Sequence, residues 1–160
     1  MTVVVPFDGS PLAEAALVRA VELSGALEEP VLAVSVIPRG NAEYARDRGW
    51  IEPDDQFDGS AIVATLHRQI TDLCPSAHFR HVVVGRYAPS GSIARSLRRI
   101  AIEEEASMVV LGSENAGRVV SAMTTVGTNV ASDDRYDVLI VRRQHPGRVA
   151  RLRNRDPGAD

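Results

Sequence analysis

Apolar residues fall into five short runs that are continuous rather than alternating: Val3–Val5, Val31–Ile37, Val82–Val84, Met108–Leu111 and Val138–Val141. Runs rich in Val and Ile suit strands covered on both faces, as in a parallel sheet. A helical pattern fills each of the four gaps. Ser10 serves as N-cap with Pro11 at the first helical position, and Leu12, Ala16, Ala20 and Leu23 follow along one face. Ser60 is expected to cap a second helix, where Ile62, Leu66, Ile70 and Leu73 recur at helical spacing. A third begins near Ser90 to Ser92 with Ile93, Leu97, Ile100 and Ala101, and a weaker fourth covers Val119–Ala131, where Thr124, Thr125 and Val126 are β-branched. Strands alternating with helices give right-handed crossovers and a doubly wound α/β fold, Rossmann-like, with helices on both faces of a five-stranded parallel sheet. Periodicity leaves two strand orders open, 3-2-1-4-5 and 2-1-3-4-5.

Two stretches lack this patterning. Residues 38–59 are long for a connection in a compact domain and are expected to form an irregular, mobile loop. The tail from 144 to 160 has no apolar periodicity and is expected to be disordered, leaving residues 1–143 as one folded domain.

The 160-residue chain can bury a proper core, and no apolar run reaches the roughly 18 residues that span a bilayer. The start has no basic region ahead of its apolar run, and Cys74 is the only cysteine, so a secretory signal and an internal disulfide are not expected. The cytoplasm is the expected compartment. All 18 basic residues are Arg, which excludes a Walker-type phosphate lysine and Schiff-base chemistry. Residues 142–160 hold six Arg against Asp156 and Asp160, which makes the body more acidic than the overall net charge of −3. The Arg-rich tail has no aromatic residue to stack on bases, so nucleic acid is not the expected partner.

In a doubly wound sheet, ligands bind beyond the strand C-termini at the topological switch point. Two segments meet that condition. Phe7-Asp8-Gly9-Ser10 follows the first strand, and its carboxylate suits ribose hydroxyls or a metal beside phosphates, although Asp8 serves equally well to turn the chain into the helix. Gly112-Ser113-Glu114-Asn115-Ala116-Gly117 follows the fourth, with Gly127-Thr128-Asn129 further on, and glycines let backbone amides approach an anion.

Weaker patterns carry less. Cys74, His78 and His81 lack zinc spacing and a fourth ligand, and residues 54–59 depart from a calcium loop at Gln56 and Thr65. Glu103-Glu104-Glu105 is read as a solvated face. No Gly-x-Ser-x-Gly elbow is present. Trp50, the one tryptophan, is expected to bury against the sheet edge rather than close over a ligand.

The sequence Val4-Val5-Pro6-Phe7-Asp8-Gly9-Ser10 resembles the first strand and Pro-x-Asp-Gly-Ser turn of the universal stress protein family. Val109-Val110-Leu111-Gly112-Ser113 resembles its fourth strand, and Val138–Val141 its last. Gly117, nine residues and Gly127-Thr128 resemble the second half of its Gly-x2-Gly-x9-Gly-(Ser/Thr) nucleotide motif. The resemblance spans about residues 3–143 and implies the order 3-2-1-4-5, a homodimer paired through the edge strand Val138–Val141, and binding of an adenine nucleotide such as ATP. By position, Pro6, Phe7 and Asp8 would line adenosine with Asp8 near the ribose, and the Val36 backbone would meet the adenine edge. Gly112, Ser113, Gly117, Gly127, Thr128 and Asn129 would cradle phosphates, and Arg118 would offset Glu114. Asp8 is the candidate for holding Mg²⁺ with the nucleotide. One departure stands out: Gly112 and Gly117 are separated by four residues where the family has two. The expected role is regulatory, read by a protein partner, with at most slow Mg²⁺-dependent hydrolysis. The alternative is a nucleotide-free dimerisation module of the same fold.

Overall fold

The structure is a computed structural model, and it describes residues 1–88, 90–112, 130 and 134–144. Its elements run β1 (Thr2–Pro6), α1 (Pro11–Leu27), β2 (Val31–Pro38), α2 (Ala42–Asp47), α3 (Gly59–Leu73), β3 (His78–Val84), α4 (Ser90–Glu103), β4 (Ala106–Gly112) and β5 (Asp137–Val141). All five expected strands are present, in one parallel sheet of order β3-β2-β1-β4-β5. That decides between the two orders periodicity left open.

Position in the sheet explains the strand patterns. β2 lies between β1 and β3, and all eight of its residues are buried, so its run has no polar face to show. β3 is an edge strand of half-buried and exposed residues, and it begins at His78, four residues before its apolar run. Its pairing with β2 from Leu32–His78 onward supplies the hydrogen bonds that the apolar pattern did not signal. Two buried clusters flank the sheet. Val3, Val5, Ala16, Leu17, Leu66 and Ile70 pack on the α1/α3 face, while Val4, Val34, Leu97, Ile100 and Val109 pack on the α4 face.

Helix starts follow local hydrogen-bonding chemistry. Ser10 caps α1 by accepting from the Ala13 amide, with Pro11 next, as expected. The cap of α3 is Asp58, not Ser60: its carboxylate accepts from the Ala61 amide, so the helix begins two residues earlier. An acidic side chain suits that helix end through the dipole, and Asp58 reaches it first. The segment 38–59, expected to be irregular, carries α2, capped by Asn41 accepting from the Tyr44 amide. Its apolar residues Ala45, Trp50, Ile51 and Phe57 belong to the α1/α3-side core. Spread through a polar stretch, they show no period over six helical residues. The expected fourth helix and residues 145–160 of the tail lie outside the described residues, apart from the helical residue Val130. Among the described residues, no helix is long and apolar enough to cross a membrane.

Candidate functional site

β1 is the switch point: α1 leaves it toward one face, and the connection from β4 begins beside it. The turn Phe7–Ser10 is held by hydrogen bonds from several elements. Phe7 is buried, and its amide donates to the Val34 carbonyl while its carbonyl accepts from the fully buried Ser35 hydroxyl at 2.6 Å. Asp8 Oδ1 accepts from the Ser10 amide at 3.0 Å, an Asx-type turn that aims the chain into α1. Gly9 sits at φ +80°, and a Cβ there would stand 3.0 Å from Gln69 Oε1, so both conformation and space favour glycine. Gln69 of α3 donates to the Gly9 carbonyl at 3.0 Å. Pro6 is half-buried at the last β1–β2 pair. The structure shows the turn role of Asp8: Oδ1 turns the backbone, and Oδ2 takes no part in that turn.

The segment around α2 closes over this turn. The Trp50 indole donates to the Asp8 carbonyl at 2.7 Å and meets Tyr44 edge-on at 5.6 Å between centroids. Arg48 lies over the Tyr44 ring at 4.2 Å, with Nη1 3.9 Å from Asp8 Oδ2. Trp50 is half-buried, as expected of it, but beside the turn of the central strand and not at a sheet edge. Sequence reasoning missed Ser35, Arg48 and Gln69 as builders of the site. The one hint was a lone tryptophan in a polar stretch.

Pairing of β1 with β2 ends at Pro6–Val34, whereas β2 continues beside β3 to Pro38–Val84. Alternate residues of a strand direct their backbone groups to the same edge. Val36 thus turns its N–H and C=O toward the β1 side, two residues past the last pair, while its own side chain is buried. That edge suits the donor–acceptor pair an adenine ring presents.

On the other side, Gly112 ends β4. A Cβ there would lie 2.3 Å from the Leu12 carbonyl oxygen and 3.0 Å from the Ala13 amide nitrogen, so the absence of a side chain lets β4 seat directly on the first turn of α1. Its glycine is required by packing, whatever else the loop holds. Ser113, Gly117, Arg118, Gly127, Thr128 and Asn129 lie outside the described residues.

The weaker patterns have structural uses. Cys74 is buried, and desolvation pushes its thiol up to about 12, far from the thiolate a metal needs. Among the described residues, no group of three or more His, Cys, Asp or Glu is placed to hold a metal ion. Asp55 accepts from the Glu52 amide, and Asp58 caps α3. Glu103 and Glu104, read as a solvated face, both pair with Arg80 of β3, at 2.9 and 3.0 Å.

Comparison with known proteins adds the family. Residues 1–142 match the model of the universal stress protein family. A universal stress protein solved in complex with cAMP is 24% identical, with TM-score 0.60 over 91% of this chain and 98% of its own. A family member from Burkholderia pseudomallei is 20% identical, with TM-score 0.53 over 89% of this chain and 96% of its own. A universal stress protein from Archaeoglobus fulgidus DSM 4304 is 17% identical, with TM-score 0.59 over 91% of this chain and 45% of its own. A search of curated proteins gave no match.

Proposed function

The chain belongs to the universal stress protein family, and from that premise we propose that it binds an adenine nucleotide, ATP in the first place, at the C-terminal ends of β1, β2 and β4. The observation that supports this reading is the half-exposed Asp8 carboxylate at the switch point, with Oδ1 spent on the turn and Oδ2 held only by an ion pair to Arg48 at 3.9 Å, without a hydrogen bond. Asp8 Oδ2 accepts from a ribose hydroxyl, and the Val36 backbone edge pairs with adenine. The 5′-phosphates extend toward the segment after β4, where Gly112, Ser113, Gly117, Arg118, Gly127, Thr128 and Asn129 would supply amides, two hydroxyls and a cation. The fold's relative in complex with cAMP fits this reading.

Asp8 is the residue that would hold Mg²⁺ by its carboxylate if the phosphates turned back toward it, and the ion would then supply the charge neutralisation that Arg48 now provides at 3.9 Å. The chain's own groups bind and orient. The role in this reading is regulatory, with occupancy read by a protein partner in the cytoplasm and at most slow Mg²⁺-dependent hydrolysis. β5 at the sheet edge, through Val138–Val141, forms the homodimer seam.

The second reading, a nucleotide-free dimerisation module, draws on Gly112. Packing alone accounts for that glycine, and its spacing to Gly117 departs from the family motif. Extraction and chromatography of purified protein separate the two readings. We expect retained adenine nucleotide and an ATP-induced rise in melting temperature that Asp8→Asn reduces and Gly127→Val removes. A protein that is empty and unmoved by ATP would leave the dimerisation module.

A further inference from the structure

Among the described residues, Arg48 is the one cation brought within ion-pair distance of Asp8, and its surroundings hold it there. Its guanidinium lies over the Tyr44 ring at 4.2 Å, Tyr44 meets Trp50 edge-on, and the Trp50 indole is bonded to the Asp8 carbonyl at 2.7 Å. The backbone amide of Arg48 closes α2 by donating to the Tyr44 and Arg46 carbonyls. Ring, helix end and tryptophan thus fix a side chain that would otherwise sample many rotamers. Yet its separation from Asp8 Oδ2 is 3.9 Å, an ion pair without a hydrogen bond, and the two side chains are 37% and 41% exposed. The planar fork presents five N–H donors, and the contact with Asp8 consumes none of them.

The direction of approach matters. β1 has β2 on one side and β4 on the other, and Arg48 reaches Asp8 from the segment that follows β2. A nucleotide whose 5′-phosphates run toward the β4 side turns the hydroxyl edge of its ribose toward Asp8. A carboxylate alone there accepts from free hydroxyls and repels a phosphoryl group, whereas an arginine beside the ribose accommodates one. Asp8 and Arg48 together make that corner close to neutral.

Resting on the nucleotide reading above, we infer that Arg48 determines the class of nucleotide: it admits adenine nucleotides carrying a phosphoryl group on the 2′,3′ edge of the ribose, such as adenosine 3′-phosphates, by charge-assisted hydrogen bonds from its fork. Asp8 then keeps the remaining hydroxyl.

Adenosine 3′-monophosphate and 5′-monophosphate test this well, because they are isomers of equal charge. Their Kd values would be measured by calorimetry on the full chain and on Arg48→Gln, with adenosine as the uncharged reference. Loss of the fork is expected to weaken the 3′-isomer about tenfold or more while the 5′-isomer changes by less than about twofold. Arg48→Lys, which keeps the charge without the planar fork, should fall between. Equal losses for both isomers, or none, would overturn the inference and leave the nucleotide reading standing. Failure of all three compounds to bind the unaltered protein would remove that reading and this inference with it. Should Arg48→Gln fail to fold, salt titration of the unaltered protein decides: affinity for the 3′-isomer must fall more steeply than for the 5′-isomer, and equal slopes refute the role.

Discussion

On the β2 side of the β1 turn, side chains reach across long stretches of sequence to hold single backbone atoms. Ser35 bonds the Phe7 carbonyl, Trp50 that of Asp8 and Gln69 that of Gly9, three consecutive residues secured from three different elements or connections. On the β4 side, Gly112 meets the first turn of α1 by backbone contact, with no side chain between. One wall is fixed by hydrogen bonds that can be removed singly, and the other by a close fit that admits no added atom. The first can be tuned residue by residue; the second tolerates almost nothing. If a nucleotide binds here as proposed, variation in its preference belongs on the β2 side, where Arg48 lies, while the Gly112 fit fixes how β4 sits on α1.

The largest effect should come from the fitted wall. Gly112→Val would drive side-chain carbons into the Leu12 carbonyl, and we expect a loss of about 3 kcal/mol or more by urea denaturation, since no flexible neighbour can yield. A loss below about 1 kcal/mol would mean that β4 and α1 can part easily, and would dissolve the contrast between the walls.

On the bonded wall, Ser35→Ala leaves the Phe7 carbonyl without its buried donor, at an expected cost of about 2 kcal/mol in the same measurement. Alkaline titration probes the core beneath that wall. Burial raises the Cys74 thiol from 9.0 to about 12, so its stabilising contribution is complete below pH 9 and is lost progressively as pH rises from there toward 12, when the unfolded chain ionises first. At pH 10 this amounts to about 1 kcal/mol, and the decline should be smaller in Cys74→Ala. Smallest is Trp50→Phe, which keeps an aromatic ring but removes the indole donor. It should cost about 1 kcal/mol and speed amide exchange across 42–50 more than across β4. Equal acceleration on both sides would argue against separately built walls.

Much of the architecture was legible because burial on both faces leaves continuous runs, as in β2, and because Ser10-Pro11 is a local capping signal read within four residues. The strand order was not in the pattern, since parallel strands of similar composition can exchange places; only the resemblance of the two turns to the family distinguished it. The Asp8 end of the site was visible for the same local reason, as an Asx turn directly after a strand. Ser35, Arg48 and Gln69 were not, because they act at separations of 28, 40 and 60 residues, which no periodicity records. α2 escaped notice because six residues are too few to display an amphipathic period.

The central claim, that the switch-point crevice receives an adenine ring, is tested most directly by photolabelling with 8-azidoadenosine triphosphate and mapping the labelled peptide. Label within residues 6–10 or 36–41, displaced by excess ATP, is the expected result. Label confined to other segments, or label that ATP does not displace, would contradict the account.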